Sequence, residues 1–302
     1  MRWVLLLALA ACADHISAVG RPCGPNEGCG SDAICDMTDP DGPHCLSNDG
    51  DLDGDGIPNG EDYCEHAPGG RYDEDRDGIG DECDPCPIAP PPAVPDADGD
   101  AVDSPCDPDS LTPGDRILLF DGFDGDTLDP RWKATTAAAW SISGGGEVDV
   151  DLTAVASEDY LTSSVGEANN FAVLASYSVE QMTTSTTTHI AAIHSIDPRP
   201  AGVAQFECSL VHSDQGSGGD AVVLTTNQNA ASMNSASGFD PTKLYELAAY
   251  STQGYVGCTA IGDGAGLGVV QAPITPDALA SVSLGASGVV AHFQWVLVVG
   301  RD

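Results

Sequence analysis

The chain has 302 residues, 47 of them acidic against 10 lysines and arginines, for a formal net charge of −37 and an isoelectric point near 4.1. That balance excludes nucleic acid as a partner and repels a bare anionic membrane. Eleven cysteines suit an oxidising compartment and point to an exported, disulfide-bonded protein.

The N-terminus, MRWVLLLALAAC, sets Arg2 before an apolar run from Trp3 to Ala11 that is too short to cross a bilayer as a helix. Leu9-Ala10-Ala11-Cys12 resembles the bacterial lipobox, whose cysteine is lipidated and becomes the first mature residue. The resemblance implies a signal peptide over residues 1–11 and a lipid anchor on Cys12; Ala13 in the next place implies delivery to an outer membrane, the cell surface. Two or more acyl chains hold a protein stably, at about 0.8 kcal/mol per buried CH₂. Contact with the membrane is then expected only through that anchor. An ordinary secretory signal cut elsewhere is the other reading, and both export the chain. Setting Cys12 aside leaves ten cysteines, enough for five disulfides.

Residues 12–46 form a cysteine-rich neck, with CGPNEGCGSDAICDMTDPDGPHC running from Cys23 to Cys45. It resembles the first two-thirds of an EGF-like module, which implies the pairs Cys23–Cys35 and Cys29–Cys45. The last two EGF cysteines are missing, and a disulfide-knotted spacer is the plainer reading.

Residues 47–112 carry most of the charge: from Asp49 to Asp115 there are twenty-one acids against Arg71 and Arg76. Read as twelve-residue loops, the stretch repeats three times, with Asp51, Asp73 and Asp96 at position one and Asp62, Asp84 and Asp107 at position twelve. Asp53 and Asp55, Asp75 and Asp77, and Asp98 and Asp100 fill positions three and five. Ile57 and Ile79 stand at position seven, and Asn59 and Asp81 at position nine. Carboxylates this close repel one another. A hard cation taking six to eight oxygen ligands removes the repulsion, and calcium tolerates the irregular geometry of a loop. Position six must turn sharply, which Gly56 and Gly78 allow. Ala101 stands there in the third loop and Asp103 falls one place early, so a weaker or empty site is expected.

EF-hand loops share this first half but need an amphipathic helix on each side, and dockerins need helices too. The flanks GEDYCEHAPGGR and DPCPIAPPPAVP cannot supply them, because Gly and Pro break any helix and no apolar face recurs. Cys64 to Cys83 and Cys86 to Cys106 enclose loops of almost equal length. With D-x-D-x-D-G-x-G-D-x-C-D from Asp73 to Asp84, this resembles the type 3 repeat of thrombospondins, also common in bacterial surface proteins. The resemblance implies a chain with little apolar core, wrapped around calcium and held by those disulfides. A disordered acidic linker would not explain the register between acids and cysteines. Pro90, Pro91, Pro92 and Pro95 favour polyproline II, a semi-rigid spacer of about 3.1 Å per residue.

From residue 113 to 302 acids thin out and short apolar or alternating runs recur between Gly, Ser, Asn and Asp clusters, as at Phe171 to Val179 and Leu244 to Tyr250. These read as strands. In the last, Phe293, Trp295, Leu297 and Val299 are expected on one face, with Val296 and Val298 on the other, so that both faces are buried. The expected fold is mainly β: two packed antiparallel sheets, with Cys208 and Cys258 bridging two strands. Leu119-Phe120-Asp121-Gly122-Phe123, then Asp124 to Trp132, resembles the opening of concanavalin A-like jelly rolls, the group of legume-type lectins, laminin G-like modules and bacterial β-glucanases.

Retaining β-glucanases of that fold carry E-x-D-x-x-E on one strand, and Glu147-Val148-Asp149-Val150-Asp151 is similar. Glu147, Asp149 and Asp151 share one strand face and are the catalytic candidates. The last acid is one residue early and is aspartate, which changes the carboxylate separation of about 5–5.5 Å that double displacement requires. Few tryptophans remain to stack on sugars. His189 and His194 lie five apart in a strand and point to opposite faces; Thr183 to Thr188 reads as strand or loop; Gly216 to Asp220 and Gly262 to Gly268 read as turns. The function expected is calcium-dependent display of a jelly roll that binds a glycan or a surface protein. A structural envelope protein and a polysaccharide-cleaving hydrolase are the alternatives, and the departures from the motif weigh against an enzyme.

Overall fold

The computed structural model describes residues 18–24, 28–37, 39–91, 96–143, 146–153, 158–182, 188–197, 203–212, 221–226, 231–235, 240, 243–252, 254–273 and 278–301. The N-terminal stretch read as a signal peptide with Cys12, Pro92 and Pro95, the threonines from 183 to 187 and residues 216–220 lie outside them. The chain packs as two compact units, Met1–Asp84 and Pro85–Asp302.

In the first unit, strands β1 (Ala33–Asp36) and β2 (His44–Ser47) form a small antiparallel ladder in which Cys35 faces Cys45. Disulfides Cys23–Cys35 and Cys29–Cys45 tie the neck, and Cys64–Cys83 closes the second acidic loop. Its apolar cluster is small, built on Ala18, Cys29, Ala33 and Cys45. Cross-links substitute for a core where there is little to bury. Among the described residues no α-helix occurs, only the short 3₁₀ turns Asn59–Glu61 and Ala137–Ala139.

The second unit is an antiparallel β-sandwich. Its strands are β3 (Arg116–Asp121), β4 (Lys133–Ala134), β5 (Trp140–Ser143), β6 (Glu147–Asp151), β7 (Asp159–Ala168), β8 (Asn170–Met182), β9 (Thr188–Asp197) and β10 (Val203–His212). There follow β11 (Ala221–Thr226), β12 (Ala231–Ser235), β13 (Leu244–Thr252), β14 (Tyr255–Gly262), β15 (Ala265–Ala272), β16 (Leu279–Ala286) and β17 (Val289–Arg301). One sheet runs β12-β11-β10-β9-β16-β7-β4 and the other β15-β14-β13-β8-β17-β6-β5, with β3 also on β17. Inward residues of both sheets make one core, in which Tyr177 stacks on Tyr245 at 5.7 Å and meets Phe293 at 5.8 Å. Cys208 on β10 is bonded to Cys258 on β14, joining the sheets.

The opening motif has a structural use. Asp121 accepts a hydrogen bond from Trp132 Nε1 at 2.7 Å and another from Phe123 N at 2.9 Å, and the Phe123 and Trp132 rings lie 5.8 Å apart.

The expected alternation of β17 needs one correction. Opposite β8, Phe293 pairs with Tyr177 and Trp295 with Ser176, a bulge that inserts one residue on β17. The extra residue switches the parity of the strand. Phe293 therefore joins Val296 and Val298 in the core, while Trp295, Leu297 and Val299 form the outer face. That outer face is covered by the third acidic repeat, through Val102, Ile88, Ala89 and the Cys86–Cys106 disulfide.

Asp159 on β7 is 3% exposed and accepts hydrogen bonds from Trp140 Nε1 at 2.8 Å and Thr136 N at 3.1 Å. Burial works against its charge, but those bonds outweigh burial and hold its pKa below the ordinary value. Asp159→Ala is expected to strand the indole N–H and cost about 1–3 kcal/mol, measured by denaturant unfolding. Because the folded pKa is depressed, the wild-type contribution is present above the unfolded carboxyl pKa of about 4 and fades as pH falls through the lower folded value.

Candidate metal centres

Each acidic loop is shaped by its own first aspartate. Asp51 accepts hydrogen bonds from Gly54 N and Gly56 N at 2.8 and 3.1 Å, Asp73 from Arg76 N and Gly78 N at 2.7 and 2.9 Å, and Asp96 from Gly99 N and Ala101 N at 2.6 and 2.9 Å. The aspartate at position five accepts from the residue two later: Ile57, Ile79 and Val102. At position nine, Asn59 and Asp81 accept from Leu52 N and Glu74 N. Two left-handed residues per loop make this possible, Gly54 and Gly56, Arg76 and Gly78, Gly99 and Ala101. Ala101, at φ 72°, holds the conformation that glycine holds in the other loops. The third loop keeps their shape and bears a cost of roughly 1–2 kcal/mol for a left-handed alanine.

Backbone N–H groups satisfy only part of this charge. At position three, Asp53 Oδ2, Asp75 Oδ2 and both oxygens of Asp98 are buried without a hydrogen-bond partner. Asp77 Oδ2, Asp62 Oδ2 and Asp107 Oδ2 are in the same condition, and Asp62 is only 5% exposed. Desolvation, then repulsion from neighbouring aspartates, pushes the pKa of Asp98 up; it also raises Asp62, Asp75 and Asp107 against the pull of a backbone N–H on each. Asp55 and Asp96 go the other way, held low by N–H groups of Gly69 and Ala101 above all. Each loop thus pairs aspartates held by backbone N–H groups with buried oxygens that no group of the protein neutralises. That donor set, all oxygen and too charged to be left bare, fits a calcium ion. Asp84 is buried at position twelve of the second loop.

Residues beyond the twelve-residue frame complete the loops. Gly69 N donates to Asp55 Oδ2 at 2.7 Å, and in the third repeat Gly114 N and Asp115 N donate to Asp100 Oδ2 at 3.0 and 2.7 Å. Where the first repeat has Gly70, the third has Asp115, which is 3% exposed with Oδ2 free of any hydrogen bond. Burial raises its pKa to about 6, although Arg301 lies 3.7 Å away and pulls it down. Arg301 also donates to Asp109 Oδ2 at 2.7 Å. Sequence reasoning missed Asp115. Comparing the fifteen-residue interval from Asp55 to Gly70 with that from Asp100 to Asp115 would have found it.

The catalytic candidates sit elsewhere, on the outer face of β6. Val148 and Val150 point into the core, while Glu147 and Asp149 are partly exposed. Asp151 turns to its own loop, accepting from Thr153 Oγ1 at 2.7 Å and Thr153 N at 3.0 Å, which lowers its pKa. A general acid needs the opposite shift. Glu147 and Asp149 are joined instead by His292 and Gln294 of β17 and Glu180 of β8, none of which the sequence singled out. Burial works against a charged His292, but the bond to Asp149 and the nearby carboxylates outweigh it and raise its pKa. His189 and His194 lie on β9 of the other sheet, their side chains outside the described ones.

Two substitutions test the loops without touching a ligand. Gly70 has φ 101°, and a Cβ there would meet Asp62 Oδ1 at 2.4 Å and Cys64 N at 2.5 Å. Gly70→Ala is therefore expected to weaken calcium uptake by the first repeat and lower its melting temperature. Ala101→Gly should act in the opposite sense, tightening the third site by relieving about 1 kcal/mol of backbone strain. Calcium titration followed by calorimetry reads both; tighter binding in Gly70→Ala or weaker binding in Ala101→Gly would contradict the geometry.

No family model matches the chain, and no curated protein matches it. Among solved structures, the Lotus tetragonolobus seed lectin is similar at 8% identity over 61% of this chain and 98% of its own, with a TM-score of 0.47. The Bacillus licheniformis beta-glucanase is similar at 13% identity over 63% of this chain and 100% of its own, with a TM-score of 0.44. The Bacteroides ovatus xyloglucan PUL protein GH43B is similar at 14% identity over 59% of this chain, with a TM-score of 0.42, and the chain spans only 38% of that protein's length.

Proposed function

We propose that this is an exported calcium-binding surface protein, lipid-anchored at Cys12, whose acidic repeats carry a jelly-roll domain that binds a glycan or a neighbouring surface protein. One observation carries the calcium reading: at position three of all three loops a carboxylate oxygen is buried with no hydrogen-bond partner. Bound calcium supplies the positive charge that these oxygens lack. Asp51, Asp53, Asp55, Asn59 and Asp62 would hold the first ion, with the carbonyl of Ile57. Asp73, Asp75, Asp77, Asp81 and Asp84 would hold the second, with that of Ile79. Asp96, Asp98, Asp100 and Asp107 would hold the third, and Asp115 adds a buried carboxylate to it.

The binding reading for the sandwich rests on its outer sheet face, where carboxylates, an imidazole and an amide are gathered on neighbouring strands, as a ligand rich in hydroxyl groups requires. The lowered pKa of Asp151 weighs against the hydrolase alternative.

Calorimetric titration of the chain from Cys23 onward should show saturable uptake of two or more calcium ions. Asp53→Ala and Asp75→Ala should each lower the stoichiometry. Absence of uptake would sink the calcium reading. On a glycan array, saturable retention by wild type with no β-glucan cleavage is the outcome expected of a binder. Cleavage that Glu147→Gln abolishes would make the domain an enzyme instead.

A further inference from the structure

The polar cluster on the outer sheet face contains a donor set unlike that of the acidic loops. Asp149 and His292 are direct partners across the β6–β17 ladder, and Ser178 of β8 lies opposite His292 on the other side. His292 Nδ1 stands 2.6 Å from Asp149 Oδ1 and 3.9 Å from Glu147 Oε2, and one donor atom from each of the three residues lies within 4.8 Å of the others. Their side chains are 22%, 26% and 35% exposed, so an ion can reach them from solvent.

The surroundings hold these donors in place. Gln294 Nε2 donates to Glu147 Oε1 at 3.0 Å, and Ser176 Oγ donates to Gln294 Oε1 at 3.3 Å. The far nitrogen of His292, Nε2, lies 3.3 Å from Glu180 Oε2. Without metal, Nδ1 donates its proton to Asp149; a cation would displace that proton, while the Glu180 carboxylate on the far nitrogen would keep a proton there and orient the ring. Beneath the cluster, Val148, Val150, Tyr177 and Phe293 are buried in the core, which leaves the backbone little room to shift.

We propose that Glu147, Asp149 and His292 form a site for a divalent transition-metal ion of the zinc class. Imidazole nitrogen suits zinc, copper and nickel, whereas calcium takes oxygen alone. A tetrahedron with bonds of about 2.0 Å has edges of roughly 3.3 Å, and the separations of 2.6 and 3.9 Å bracket that length. Three protein ligands leave the remaining coordination open toward solvent. This site is independent of the calcium loops and stands or falls separately from them.

The test uses the full exported chain with calcium in saturating excess, so that the aspartate loops are filled. Zinc is titrated by calorimetry, and cobalt is titrated in parallel by its visible absorption. One equivalent of zinc is expected, with a cobalt spectrum of low coordination number. His292→Gln should abolish both signals while calcium uptake and the thermal melt stay at wild-type values. Glu180→Gln should weaken zinc about 10-fold or more, the usual effect of losing an outer-shell partner. A wild-type chain that takes up no zinc under calcium would overturn the proposal. So would zinc affinity unchanged in a folded His292→Gln protein, which would place the ion on aspartates elsewhere. If His292→Gln fails to fold, Glu147→Gln provides the same comparison, and unchanged zinc and cobalt binding there is equally fatal.

Discussion

The sandwich depends on the thirteen-residue strand β17, whose second half, from Trp295 to Gly300, is buried on both faces. β17 is hydrogen-bonded to β8 along one edge and to β6 and β3 along the other. Its inner residues Phe293, Val296 and Val298 fill the space between the sheets, and its outer residues Trp295, Leu297 and Val299 are sealed by the third repeat. Full burial of side chains this size contributes about 1.5–3 kcal/mol each. The strand therefore needs a cover, and the chain provides one from its acidic half.

That cover explains how a highly charged loop stays against an apolar sheet. Val102, Ile88 and the Cys86–Cys106 bridge face the strand, while the aspartates turn to their own backbone. Arg301, at the end of β17, holds Asp109 and faces Asp115, so the same strand supplies both apolar contact and countercharge. The uncovered half of the outer face carries His292 and Gln294, where polar side chains from β6 and β8 meet them. The bulge between Phe293 and Trp295 reconciles the two halves, because it keeps His292 and Trp295 on one face although they are three residues apart.

The acidic loops follow a different logic. Their form comes from aspartates capping the N–H groups a few residues on, and that local folding forces further carboxylates inward, where desolvation makes them costly. Local structure and ion demand are thus the same feature seen at two scales. The cysteines serve where this arrangement leaves no core: Cys64–Cys83 spans the second loop and Cys86–Cys106 spans the third.

What was legible in the sequence was what is local or periodic. Acid spacing, left-handed glycines and strand alternation each act over a few residues, so Asp51 to Asp62 and Asp73 to Asp84 could be read without coordinates, whereas the disulfides of the neck and the repeats were implied by resemblance to known modules and Cys208–Cys258 by the expected sandwich. Glu147 and Asp149 could be placed on one face for the same reason. Only the tertiary structure decided that His292, more than a hundred residues later, completes their cluster, and that Arg301 reaches back to Asp109. It also decided that the third repeat packs on the sandwich, since acidic composition conceals the few apolar side chains that make the contact. Strand pairing brings together residues that no spacing rule connects, and one inserted residue on β17 was enough to reassign a face.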